Sequence, residues 1–77
     1  MEKLLQFIQR LDEAGIHHSL GSLRADAILV DAHVPGQRWE IEFFADGHVE
    51  IERFFADPEG VLDDEAVLDT LIEENRD

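Results

Sequence analysis

Glutamates at positions 40, 42, 50 and 52 flank an Ala-Asp-Gly turn, in Arg38-Trp39-Glu40-Ile41-Glu42-Phe43-Phe44 and His48-Val49-Glu50-Ile51-Glu52-Arg53-Phe54-Phe55. Residues two apart on a strand share a face, so a hairpin here sets Glu40, Glu42, Glu50 and Glu52 side by side. Grouped carboxylates suit acid–base catalysis, cation ligation or ion pairing with a basic partner. Acid–base work needs two carboxyls in unlike surroundings within a cleft. Similar glutamates on an open strand pair do not supply that difference, so no enzyme and no catalytic residue is expected. A hard cation needs oxygens arranged to replace its hydration shell, and an open sheet offers no such cage. Pairing with Lys and Arg of a partner protein is the chemistry that fits. Like charges opposite one another destabilise a sheet, and sequences tolerate such local conflicts at functional sites.

The other residues with ligating chemistry are His17, His18, His33 and His48. Neighbours on a strand point to opposite faces, so His17 and His18 do not share a site there. Solvated or partly packed histidines are the plainer reading. No metal and no other cofactor is expected.

The charge balance narrows the partner. The 77 residues include six Lys and Arg against nineteen Asp and Glu, a formal net charge of −13. Nucleic-acid binding depends on cationic side chains that neutralise phosphates, and this chain is poor in them. Anionic membrane surfaces are disfavoured for the same reason. Association steered toward a basic protein surface is favoured. With no cysteine, the chain fits a reducing compartment. It shows neither an apolar run approaching the ~20 residues of a membrane span nor a signal peptide, so a cytoplasmic location is expected. A chain this short makes one domain, residues 1–77.

The elements that must position the carboxylates are legible in the hydropathy pattern. Leu4, Leu5, Phe7, Ile8 and Leu11 recur at helical spacing over residues 2–14, and Gly15 supplies a stop. Residues 16–20 suit a short strand. Residues 27–34 alternate, with Ile28, Val30, Ala32 and Val34 on one face, and Pro35-Gly36 suits a type II turn. Antiparallel partners share a face, which fixes register. A Pro35-Gly36 loop pairs Ala32 with Trp39, Val30 with Ile41 and Ile28 with Phe43, all apolar. A two-residue Asp46-Gly47 loop would set Glu42 against Ile51. A three-residue Ala45-Asp46-Gly47 loop with Gly47 left-handed pairs Phe43 with Val49, Ile41 with Ile51, Glu42 with Glu50 and Glu40 with Glu52.

Asp31 then stands beside Glu40 on the acidic face, with Phe44 and Leu29 in the same phase as candidate apolar anchors; a few desolvated side chains carry most interface energy. Trp39 and Phe43 belong to the core phase. Arg53 also falls on that phase, which predicts a bulge or strand end near residues 54–55. Asp57-Pro58-Glu59-Gly60 reads as a connection, and Leu62 with Val67 as a hydrophobic staple around an Asp63 N-cap. Val67, Leu68, Leu71 and Ile72 form the stripe of a second helix ending near Asn75. The expected fold is α+β: helix, three- or four-stranded antiparallel meander, helix, with both helices on one sheet face.

The run from Pro35 to Phe44, followed by Asp46-Gly47-His48-Val49-Glu50-Ile51-Glu52, resembles a signature of small, uncharacterised acidic bacterial proteins. In size and charge these are similar to immunity proteins that neutralise bacterial toxins. The resemblance covers about a quarter of the chain, implies bacterial origin and transfers no catalytic residue. The expected function is a non-enzymatic inhibitor or immunity-type protein that binds a basic toxin, nuclease or nucleic-acid-binding complex through Asp31, Glu40, Glu42, Phe44, Glu50 and Glu52. Two alternatives stand beside it. One is an anti-CRISPR-like phage inhibitor that mimics nucleic acid, which would need Asp69, Glu73 and Glu74 on a surface continuous with the hairpin. The other is a structural homodimerising domain.

Overall fold

The computed structural model of the protein describes residues 2–55 and 60–76. Helix α1 spans Glu2–Ala14. Strands β1 (His17–Arg24), β2 (Ala27–Val34), β3 (Gln37–Phe44), β4 (Val49–Phe54) and β5 (Gly60–Asp63) follow, and helix α2 (Val67–Asn75) comes last. The strands form one antiparallel sheet in the order β1-β2-β3-β4-β5. The fold is α+β with a five-stranded meander, one strand more than the longest expected.

α1 forms where the sequence predicts it because Leu4, Phe7, Leu11 and Ala14 lie on one face and are buried. Its end is a Schellman closure. The Ile16 N–H donates to the Leu11 carbonyl (3.0 Å) and the Gly15 N–H to that of Asp12 (3.2 Å). Leu11 and Ile16, the two positions that this motif brings together, are both buried.

The predicted registers of β2–β3 and β3–β4 are observed pair for pair. Both loops rest on glycines with positive φ: Gly36 at 77° and Gly47 at 97°. In the second, the Phe44 N–H donates to the His48 carbonyl and the Gly47 N–H to that of Phe44, both at 3.0 Å. That is a three-residue loop with its left-handed position at glycine.

Period-two alternation then divides the sheet. Val30, Ala32, Trp39, Ile41, Phe43 and Ile51 join Leu4, Phe7, Leu11 and Ala14 of α1 and Leu68, Leu71 and Ile72 of α2 in one hydrophobic core. Lys3 bridges to Glu65 (3.1 Å) and Arg10 to Asp69 (2.8 Å), so one flank of α1 faces α2 and the residues just before it.

Two local expectations are corrected and a third is narrowed. β1 runs to Arg24 rather than Leu20, because residues 17–21 find partners along β2 and the pairing resumes at Arg24↔Ala27 after an irregularity. Of the bulge or strand end expected near residues 54–55, it is the strand end that forms, with β4 ending at Phe54 and no bulge at Arg53. That residue stays in register opposite Trp39, with its guanidinium 5.0 Å from the Trp39 ring and ion-paired to Asp63. The N-terminus of α2 is not the expected staple: Asp63 and Leu62 belong to β5, and Ala66 occupies the N-cap without a side-chain hydrogen bond. Instead Asp64 Oδ1 accepts from the Ala66 N–H at 3.1 Å. The connection expected at Asp57-Pro58-Glu59 lies outside the described residues. No helix among the described residues is long and apolar enough to cross a membrane.

Candidate functional site

The outer face of the sheet is built in rows that follow from register. Ser19, Asp31, Glu40, Glu52 and Leu62 stand in one row across all five strands, and Gly21, Leu29, Glu42 and Glu50 in the next. Glu40, Glu42, Glu50 and Glu52 line an open concavity of about 200 Å³ together with Arg24, Leu29 and Leu62. Asp31 flanks it through its pairing with Glu40. Four of the expected glutamates are therefore brought together, and Leu29 lies among them.

The carboxylates differ in surroundings more than their common residue type suggests. Glu42 is buried, only 8% exposed, and accepts a hydrogen bond from Arg24 Nε at 2.9 Å. Glu40 has Arg38 Nη2 at 3.5 Å. His33 Nε2 stands 3.5 Å from Asp31 Oδ1, and that buried oxygen has no hydrogen-bond partner among the described residues. Glu50 Oε2 lies 3.3 Å from His48 Nε2. Glu52 has no ion-pair partner among the described residues, and its side chain lies where a Cβ on Gly60 would sit. The face is thus compensated by Arg24 and His48 toward the Ala45–Gly47 turn and by Arg38 toward the Pro35-Gly36 turn. Its open charge lies on the β4–β5 side.

Phe44 is corrected outright as an exposed anchor: it is 8% exposed. His48 stacks on its ring at 4.0 Å with the planes 11° apart, and the Arg24 guanidinium carbon lies 5.3 Å from its centroid. An aromatic ring in the polar phase near the end of a strand is covered by the stacked His48 ring and by the Arg24 guanidinium, the latter favoured by the ring's negative face. The exposed apolar side chain on this face is Leu62 instead, 81% exposed and directly opposite Glu52. The sequence held one pointer to this. Arg53, in the core phase, requires a carboxylate, and a fifth strand places Asp63 beside it.

The Ala45–Gly47 turn carries its own electrostatics. The His48 N–H donates to Asp46 Oδ1 at 3.0 Å, and the His48 ring sits between Asp46 and Glu50. The backbone hydrogen bond from His48, reinforced by the His48 ring, holds the Asp46 carboxyl below its ordinary value. The hydrogen bond to Asp46, with a smaller contribution from Glu50, pushes the His48 imidazole up.

The other histidines are spread out. His17 faces His33 across β1–β2 with ring centroids 5.8 Å apart, while His18 points to the other face and lies 3.7 Å from Asp12. Among the described residues no three His, Asp or Glu side chains converge as a metal site. In α2, Asp69 is engaged by Arg10 and Glu73 by Arg76. The helix joins the core that the inner phase of the sheet lines, so its acids do not extend the outer-face cluster. Comparison with known proteins returns no matching family model, no matching curated protein and no matching solved structure.

Proposed function

We propose that this chain is a non-enzymatic binding protein that neutralises or regulates a basic protein, docking it on the outer sheet face. The observation that carries this reading is the concavity that Glu40, Glu42, Glu50 and Glu52 line between Leu29 on one side and the exposed Leu62 on the other. A Lys or Arg side chain from a partner suits it: the aliphatic stem rests on Leu62 while the cationic head meets Glu50 and Glu52. Glu42 is already held by Arg24, so it shapes the wall more than it offers free charge. The net charge of −13 adds long-range steering toward a cationic surface and away from nucleic acid.

Association with basic toxins and nucleases, followed by stopped flow over a range of ionic strength, tests the proposal. Changing Glu50 and Glu52 together to Lys is expected to slow association at least about tenfold at low salt and to flatten its salt dependence. Both side chains are clear of the core, so the fold is expected to persist. A partner bound equally fast by the double variant would overturn the reading.

A further inference from the structure

We infer that the free edge of β1 and the adjoining flank of α1 form a contact between two copies of this chain, β1 against β1 antiparallel about a two-fold axis. The two edges of the sheet are unlike. β5 is four residues long and runs into Asp63 and Asp64, and shortness and charge are ordinary protections of an exposed edge. β1 is eight residues long, His17-His18-Ser19-Leu20-Gly21-Ser22-Leu23-Arg24, with no proline, lysine or carboxylate. Its pairing with β2 is regular from His17 to Gly21 and interrupted only beyond that. Such an edge is a template for another strand.

The flank of α1 beside this edge is apolar. Lys3 and Arg10 reach Glu65 and Asp69, which marks the side of the helix toward α2. Leu5, Ile8 and Asp12 follow one another at helical spacing on the opposite side, and Asp12 stands 3.7 Å from His18 of β1. Leu5 is 59% exposed and Leu20 of β1 54%. Leu20 is opposite Val30, a core residue, so it belongs to the face of the sheet that the core covers. Leu5, Ile8 and Leu20 therefore border the open backbone edge with an apolar strip.

Charge and symmetry select a second copy as the occupant. Two chains of net charge −13 repel wherever their carboxylates face each other, and β1 has none; the one acid on this flank, Asp12, has His18 beside it. Leu20 lies near the middle of the strand. Pairing about it sets Leu20 against its counterpart, Ser19 against Gly21 and His18 against Ser22, which places no acid opposite another. Two exposed leucines directly opposed in an antiparallel pair bury one another. A two-fold axis normal to the sheet leaves both acidic outer faces on the same side, so the contact is compatible with partner docking and independent of it.

The test is the mass in solution together with a cysteine placed at the axis. The monomer mass is 8.8 kDa, and sedimentation equilibrium is expected to show it doubling as concentration rises. Added salt, which shortens the reach of the mutual repulsion, is expected to favour the doubled species. The chain has no cysteine, so the single variant L20C is expected to form an intermolecular disulfide under diamide, whereas L62C, on the other edge, is not. L20K is expected to remain at monomer mass with the wild-type circular dichroism spectrum. Wild-type mass that stays at 8.8 kDa up to millimolar concentration would overturn the inference. So would cross-linking of L62C as fast as L20C, or a doubled mass that L20K leaves unchanged.

Discussion

Glu42 and Glu52 are the same residue type on neighbouring strands of one sheet face, and they stand in opposite circumstances. Glu42 is buried and bonded to Arg24, which arrives from the end of β1. Glu52 has no ion-pair partner among the described residues and leans across the backbone of Gly60. The difference teaches that a row of like charges need not act as a unit. One member has been drawn into the structure by an arginine distant in sequence, while another has no ion-pair partner among the described residues.

The comparison breaks most visibly at Arg24. Removing it as Arg24→Ala leaves a buried carboxylate without its donor and uncovers the Phe44 ring, at an expected cost of about 1–3 kcal/mol, read from urea unfolding. Glu42→Gln keeps an oxygen for Arg24 Nε but discards the charge, and is expected to lose about 0.5–1.5 kcal/mol. This is the reverse of what cross-strand repulsion between Glu42 and Glu50 suggests by itself, where Gln at either position relieves it and stabilises the sheet. If Glu42→Gln melts higher than the wild type, the Arg24 contact contributes little and the contrast with Glu52 fails.

Gly60 sharpens the other side. A methyl group at this position overlaps the Glu52 side chain, so Gly60→Ala must swing that side chain aside, whereas Gly60→Ala in a Glu52→Ala background meets no such obstacle. A double-mutant cycle is expected to return a coupling on the order of 0.5–1 kcal/mol. A coupling of zero would show that Glu52 moves freely. Glu52→Gln alone removes charge that directly opposes Glu40. It is expected to raise stability by a few tenths to about 1 kcal/mol, seen as a higher melting temperature.

The smallest effect belongs to the Ala45–Gly47 turn and appears as pH dependence. His48 is raised above its ordinary 6.5, so its contribution is in full force below that value and fades as pH climbs through the raised one. Asp46 is lowered below its ordinary 3.8, so its contribution is in full force above that value and is lost only as pH falls through the lowered one. The two overlap between about pH 3.8 and 6.5. The melting difference between the wild type and His48→Asn is expected to be greatest in that window and to shrink above neutrality. A difference that grows with pH would mean that stacking of the ring on Phe44, not its charge, is what His48 supplies.

Much of this molecule follows from its sequence through two short periodicities. Leu4, Phe7, Leu11 and Ala14 set α1, and Gly15 ends it, because helix geometry and a left-handed stop are local matters. The alternation of residues 28–34, 39–43 and 49–51, with glycines at 36 and 47, determines strand register, because a slip of one residue would turn every apolar side chain out of the core. Those same rules place Glu40, Glu42, Glu50 and Glu52 on one face.

What the sequence by itself left undecided is which of those carboxylates are free, and that depends on groups brought from elsewhere in the chain. Arg24 reaches Glu42 only because β1 runs on beyond Gly21 and resumes pairing opposite Ala27, and no local pattern around Arg24 announces it. Phe44, polar by phase, is buried because Arg24 and His48 converge on its ring. Leu62 stands exposed beside Glu52 because Gly60–Asp63 pairs with β4, where Asp63 meets Arg53; read locally, the same residues suited a helix cap. Periodicity determines the face on which a side chain lies. Its burial and its charge partners are set by contacts between residues far apart in the chain, and these exist only once the sheet has formed.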